Sequence, residues 1–125
     1  MLVDTDVLIW YMRGNDKARK VILKLTHPAV SLVTHMELVQ GARNKEELAA
    51  IRRFFDIHVF TVFPVSEIIG QRALFLMEEW CLSHGLLMAD ALIAATALDH
   101  GLTVFTGNSK HYQFLPNISV SKFSP

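Results

Sequence analysis

The chain opens with MLVDTDVLIW (residues 1–10), in which two aspartates interrupt an otherwise apolar run. The apolar residues predict a short buried strand at residues 1–4 and then a helix that includes VLIWYM (residues 7–12). A buried, unpaired carboxylate costs several kcal/mol, so Asp4 and Asp6 need a partner or a position outside the core. The carboxyl end of a strand in a parallel sheet provides such a position, because ligands bind there.

Strand patterns and helix patterns alternate along the rest of the chain. Strands are predicted at residues 29–33 (AVSLV), 58–63 (HVFTVF), 102–106 (LTVFT) and 117–120 (NISV). Helices are predicted at residues 15–25, 34–43, 46–55 and 88–100, and between a cap at Ser66 and an end at Gly85. Gly101 ends the helix at 88–100, and the helix at 46–55 is expected to face inward with Leu48, Ile51 and Phe55. This alternation predicts an α/β fold with a mostly parallel sheet.

Composition narrows the class of protein. The chain has 125 residues, 51% of them hydrophobic, so we expect one domain, residues 1–125, with a packed core. Twelve basic and twelve acidic residues give a net charge of zero, so no overall electrostatic field attracts nucleic acid, and any nucleic-acid binding needs a local patch of positive charge. The single cysteine, Cys81, excludes an internal disulfide and fits a reducing compartment. No membrane segment is expected, since the longest candidate run contains Asp90, and no signal peptide is expected before the first apolar run. A cytoplasmic protein is predicted.

Four polar groups follow the predicted strands in a way that brings them to one edge of the sheet. Asp4 ends the first strand, Glu37 and Asp90 are expected in the first turns of two helices, and Asn108 follows the strand LTVFT. Three carboxylates in one place repel each other unless a cation is present. Oxygen ligands favour Mg²⁺ or Mn²⁺, and such an ion promotes attack on phosphate esters. The set therefore indicates a metal-dependent reaction of a phosphodiester.

Structural roles for single members of this set remain open at this point. Glu37 fits a capping box with Thr34, and Asp90 fits the acidic first turn of a helix. Asn108 lies in Gly-Asn-Ser, which is also an ordinary turn sequence. Asp4 and Asp6 have no comparable structural explanation. The convergence of four elements favours the functional interpretation.

Four stretches of the chain resemble the PIN-domain ribonucleases, in particular the VapC-type toxins of toxin–antitoxin pairs. They are LVDTDVLI (2–9), SLVTHMELVQGAR (31–43), MADALIAATALDHGL (88–102) and VFTGNSKHYQFLPNISV (104–120). Their order and spacing cover essentially the whole chain. The resemblance implies a PIN-like three-layer α/β/α fold with a central, mostly parallel sheet.

The resemblance also implies an activity and its residues. The activity would be an endoribonuclease that uses Mg²⁺ or Mn²⁺ to hydrolyse RNA, with Asp4, Glu37 and Asp90 as metal ligands. Thr106 and Asp6 would support the site by hydrogen bonding. Asn108 stands where the family often has a fourth acid, which makes a one-metal site the expectation. The family further implies a homodimer that a small antitoxin protein inhibits.

Basic and aromatic residues near the acids are candidates for RNA contacts. Arg13, Lys17, Arg43 and Lys45 follow the Asp4 and Glu37 segments closely enough to line the rim of a cleft. Solvated helix faces explain the same residues equally well. Trp10 and Tyr11 have the rings to stack on bases, but a role in the core or in a dimer is preferred.

Three other functions compete with this interpretation. DTDVL partly resembles the nucleophile motif of haloacid dehalogenase-type phosphatases, but Leu8 stands where that motif has Thr or Val, and no acidic pair follows Asp99. A second alternative is a binding module of the same fold with a disabled site, which the loss of an acid at Asn108 would favour. The third, a metal site made from the six histidines, lacks any H-x-x-x-H spacing.

Overall fold

In the computed structural model, which describes residues 1–125, five short strands alternate with six α-helices. The strands are β1 (Leu2–Val3), β2 (Ala29–Ser31), β3 (Thr61–Phe63), β4 (Val104–Thr106) and β5 (Val120–Lys122). The helices are α1 (Thr5–Met12), α2 (Asp16–Lys24), α3 (Leu32–Gln40), α4 (Lys45–Ile57), α5 (Glu67–His84) and α6 (Met88–His100). A short 3₁₀ helix, Ser109–His111, follows β4.

The strands form one sheet in the order β3-β2-β1-β4-β5, and every neighbouring pair is parallel. Successive residues of a strand point to opposite faces of the sheet. Accordingly, Leu2, Ala29 and Val104 belong to a core with α5 and α6, whereas Val3, Val30 and Phe105 belong to a core with α1, α2 and α4. The predicted three-layer α/β/α fold is confirmed, with a sheet that is parallel throughout.

Local signals set several helix ends where the sequence predicts them. The hydroxyl of Ser66 accepts a hydrogen bond from the backbone N–H of Ile69 (3.2 Å) and so caps α5. Gly85 and Gly101 end α5 and α6 with φ values of +66° and +64°, a left-handed conformation that glycine adopts without a Cβ clash. None of the helices has the length and apolar character that a membrane crossing requires.

The start of α3 differs from the prediction. The strand ends at Ser31, whose hydroxyl accepts a hydrogen bond from the backbone N–H of Val33 (3.1 Å), so α3 begins at Leu32. Thr34 is therefore a buried residue inside the helix, and the capping box of Thr34 with Glu37 is wrong. Glu37 lies in the second turn of α3 instead of the first.

Two smaller predictions are also corrected. In α4 the buried residues are Ile51 and Phe54, three positions apart, whereas Leu48 is 42% exposed and Phe55 is only partly buried. The last strand is Val120–Lys122 and not residues 117–120, because Val120 pairs with Val104 and Phe123 packs against Phe105. Trp10 is partly buried against the core on the α1 side of the sheet.

Candidate functional site

The candidate site lies where the connections of the sheet change direction. The chain runs from β1 through α1 and α2 to β2 on one side, and returns later to β4 on the other side of β1. In open parallel sheets such a switch point leaves a crevice at the carboxyl ends of the strands. Asp4 directly follows β1 and Thr106 is the last residue of β4, and the Thr106 hydroxyl donates to Asp4 Oδ2 over 2.8 Å.

Asp4 is an almost fully buried carboxylate. It caps α1, with Oδ1 accepting from the backbone N–H of Thr5 (2.8 Å), and its residue exposure is 5%. Burial, together with the nearby charge of Asp6, raises the pKa of Asp4 to about 6, although the hydrogen bond from Thr106 acts in the opposite direction. Asp4 is therefore a carboxylate whose ionised form a cation would stabilise.

Asp6 connects α1 to the turn that follows β4. Its Oδ2 accepts a hydrogen bond from the backbone N–H of Gly107 over 2.8 Å, and the Thr106 hydroxyl lies 3.5 Å from Oδ1. A Cβ at position 107 would lie 2.5 Å from Asp6 Oδ2, so any residue other than glycine would displace the Asp6 carboxylate. Burial raises the pKa of Asp6 as well. Asp6 and Thr106 therefore form hydrogen bonds at the edge of the sheet that carries Asp4.

Glu37 reaches the same region from α3 through a threonine. The hydroxyl of Thr5, the residue between the two aspartates, donates to Glu37 Oε1 over 2.7 Å. The same hydroxyl lies 3.1 Å from the hydroxyl of the buried Thr34. Thr5 thus contacts Asp4 through its backbone N–H and Glu37 through its side chain.

Asp90, in the first turn of α6, is held at both oxygens. The Tyr112 hydroxyl donates to Oδ1 over 3.2 Å, and His111 Nδ1 lies 3.2 Å from Oδ2. Burial raises the pKa of Asp90, the charge of Asp4 adds to that effect, and His111 and Tyr112 oppose it. Burial and the charges of Asp4 and Asp90 raise the pKa of Tyr112 far above its ordinary value, so its phenol remains protonated and able to donate.

Asn108 contributes through its backbone. Its N–H donates to the Thr106 hydroxyl over 2.9 Å, while its side chain is exposed and forms no hydrogen bond. The side-chain amide of Asn108 therefore forms no hydrogen bond with the acids.

The acids have the donor chemistry that a hard divalent cation requires, although they do not form a closed ligand cage. No three side chains among the His, Cys, Asp and Glu residues are grouped closely enough to hold a metal ion. The charge of Asp4 raises the pKa of Asp90, as a neighbouring carboxylate does where no cation balances the two charges. Mg²⁺ is commonly bound by one or two carboxylates together with waters and substrate phosphates. The pair Asp4 and Asp90 fits that kind of site.

A cavity of about 700 Å³ opens on the Glu37 side of the acids. Of the four predicted RNA-contacting residues, Arg13 and Arg43 line it, whereas Lys17 and Lys45 do not. Arg19, which the sequence interpretation did not select, also lines the cavity, with its guanidinium 5.7 Å from the centre of the Tyr11 ring. The Arg43 side chain is paired with that of Glu47, with 2.6 Å between Nε and Oε1.

Several residues of the site were not predicted from the sequence: Thr5, Thr34, Gly107, His111 and Tyr112. Two of them could have been found from the sequence, because they adjoin residues that it does indicate: Thr5 stands between the two aspartates, and Gly107 stands between Thr106 and Asn108. Nothing in the sequence indicates Tyr112 and His111, since their contacts with Asp90 span about twenty residues and depend on how α6 packs beside β4.

Comparison with known proteins gives consistent results. A family model described as PIN domain matches residues 1–114. Ribonuclease VapC10 of Mycobacterium tuberculosis is 35% identical over 116 residues, which cover 90% of this chain and 85% of that protein. Ribonuclease VapC19 of the same organism is 32% identical over 122 residues, covering 94% and 95%.

A similar chain is also present among solved structures. It belongs to a toxin–antitoxin complex from Klebsiella pneumoniae and superimposes with a TM-score of 0.79 at 28% identity. The match covers 98% of each chain. The whole described fold is thus shared, including the edge of the sheet that carries the acids.

Proposed function

This chain belongs to the PIN-domain family, and on that premise we propose that it is a divalent-metal-dependent endoribonuclease that acts as the toxin of a toxin–antitoxin pair. The two similar proteins named as ribonucleases match nearly all of this chain. One observation of the site carries the proposal: at the switch point of the sheet, Asp4 and Asp90 lie close enough that the charge of Asp4 raises the pKa of Asp90, and burial raises the pKa of both. The catalytic unit is residues 1–125.

The proposed ligands of the Mg²⁺ or Mn²⁺ ion are Asp4, Asp90 and Glu37. Asp4 and Asp90 are the interacting pair, and Glu37 is linked to Asp4 through Thr5. When bound, the cation supplies positive charge to the phosphodiester oxygens. Asn108, Asp6 and Thr106 complete the set of site residues, with Asp6 and Thr106 fixing the turn and Asp4 by hydrogen bonds. The exposed side chain of Asn108 is available to the substrate and not to the acids.

In the hydrolysis of RNA, a water oxygen forms a bond to phosphorus and the bond from phosphorus to a ribose oxygen breaks. The protein's own contribution is position and charge. The cavity beside Glu37 is lined by three arginines, Arg13, Arg19 and Arg43. Their guanidinium groups would bind phosphates of the RNA backbone. Lys17 and Lys45 are exposed outside the cavity and would contact only more distant phosphates.

Cleavage of a mixed structured-RNA pool by the purified chain tests this proposal. Cleavage is expected with Mg²⁺ or Mn²⁺, is expected to stop with EDTA, and is expected to be lost in Asp4→Asn and Asp90→Asn. Asp99→Asn is the matched control, because Asp99 is an exposed acid on the same helix as Asp90. Intact RNA under all conditions, without metal binding by calorimetry, would favour the non-enzymatic binding module.

Two protein partners belong to the proposal. The Klebsiella pneumoniae structure is a toxin–antitoxin complex, which supports an antitoxin as the inhibitor of this chain. A homodimer is supported by exposed apolar residues on α5: Ile68, Leu74, Phe75 and Leu82. Light scattering after size-exclusion chromatography measures the mass, and a Phe75→Ser variant is expected to shift it from dimer to monomer. A cytoplasmic location completes the proposal, since the free Cys81 fits a reducing compartment.

A further inference from the structure

Tyr112 is the largest fully buried side chain of the protein, yet it carries a polar hydroxyl. Its ring packs in the core between the sheet and helices α5 and α6. A phenylalanine would fill nearly the same volume without a polar group to satisfy. The hydroxyl therefore calls for an explanation other than packing.

The hydroxyl lies between the two interacting acids. It donates to Asp90 Oδ1 over 3.2 Å, and its proximity lowers the pKa of Asp4 as well as that of Asp90. The two carboxylates come from elements far apart in the sequence and repel each other. A donor between them reduces that repulsion and orients Asp90, whose other oxygen faces His111.

We propose that Tyr112 is a positioning residue for the divalent cation, because its hydroxyl holds Asp90 beside Asp4 in the arrangement that receives the ion. This inference rests on the proposed function. A carboxylate oxygen has two lone pairs, so a bond from Tyr112 leaves Asp90 able to ligate. Hydrogen bonds from such outer residues orient ligands, and their loss weakens metal binding about 10- to 100-fold.

The Tyr112→Phe variant tests the inference through metal affinity. Titration calorimetry with Mn²⁺, on the full chain at pH 7.5, is expected to show binding about 10- to 100-fold weaker than in the wild type. Tyr11→Phe is the matched control, since it removes the only other tyrosine hydroxyl, which bonds to His58 Nε2 (2.9 Å) and not to an acid. Its Mn²⁺ affinity is expected to equal that of the wild type.

A second measurement uses the unsubstituted sequence and does not depend on the folding of a variant. In protein labelled with fluorotyrosine, a diamagnetic ion, Mg²⁺, is expected to move the fluorine resonance of Tyr112 and leave that of Tyr11 in place. Equal Mn²⁺ affinity of the wild type and Tyr112→Phe, or an unmoved Tyr112 resonance in Mg²⁺-bound protein, would overturn this inference alone. A wild type that binds neither ion overturns the proposed metal dependence and this inference together.

Discussion

Gly107→Ala is expected to destabilise the protein by displacing the Asp6 carboxylate. The new Cβ would lie 2.5 Å from Asp6 Oδ2, whereas ordinary contacts begin at 3.4 Å. The carboxylate must therefore withdraw by about 0.9 Å, which lengthens the present 2.8 Å bond from Gly107 N–H beyond hydrogen-bonding distance. Hydrogen bonds to charged groups contribute about 1.5–3 kcal/mol, so we expect the free energy of unfolding to fall by about 2 kcal/mol.

Urea unfolding in EDTA measures this loss, and a double-mutant cycle identifies its cause. In an Asp6→Ala background the carboxylate is absent, so Gly107→Ala should cost nearly nothing. Gly70→Ala is the matched control, since no atom lies within 4 Å of its Cβ position in α5. Alanine at that helical position is expected to stabilise by about 0.5–1 kcal/mol.

The reasoning would be refuted by an equal cost of Gly107→Ala in both backgrounds. That result would mean that the penalty comes from the backbone of the turn and not from Asp6. A stabilising effect of Gly107→Ala in the wild type would likewise contradict the close approach of the turn to α1.

Three further outcomes are expected. In EDTA at pH 7.5, Asp4→Asn should raise the free energy of unfolding by at most about 3 kcal/mol, because the ordinary pKa of 3.8 rises to about 6 on folding. The gain should disappear near pH 4, where folded Asp4 is protonated, since wild-type stability increases as the pH falls from about 6 towards 3.8. Thr5→Val should lower metal-dependent RNA cleavage about tenfold, because it removes the hydrogen bond from the Thr5 hydroxyl to Glu37. Thr5→Ser keeps the hydroxyl and should cleave RNA at nearly the wild-type rate. An equal loss in both variants would contradict the role of this hydrogen bond. Arg19→Gln should raise KM for RNA several-fold with little change in kcat, because Arg19 lines the cavity. Lys17→Gln, outside the cavity, should raise KM less. The reverse order in steady-state kinetics would disprove that RNA binds in this cavity.

Much of the fold could be predicted because its signals are local. The apolar run before Asp4, the cap at Ser66 and the glycines at 85 and 101 each act within a few residues. Alternating strands and helices then leave few topologies, and those place the ends of parallel strands at one edge. Sequence alone therefore predicts that Asp4 and Asp90 lie at the same edge of the sheet.

The start of α3 could not be predicted because two neighbouring residues are both suitable helix caps. Ser31 and Thr34 are both good caps, and a capping box with Glu37 favours the second in sequence. The helix begins after Ser31 because β2 ends there, where its pairing with β3 places Ser31 opposite Phe63. Pairing between strands, together with the cap that Ser31 forms, set this boundary.

The sequence by itself determined the order of strands and helices and the acids that follow them, since periodicity and capping are properties of neighbouring residues. Only the tertiary structure decided how those acids are held. Thr106 reaches Asp4 across 102 positions, and Gly107 reaches Asp6 across 101. Tyr112 reaches Asp90, and Arg19, but not Lys17, lines the cavity, because of how the helices pack on the sheet. Such contacts depend on distances in space, which a linear pattern of residue types does not contain.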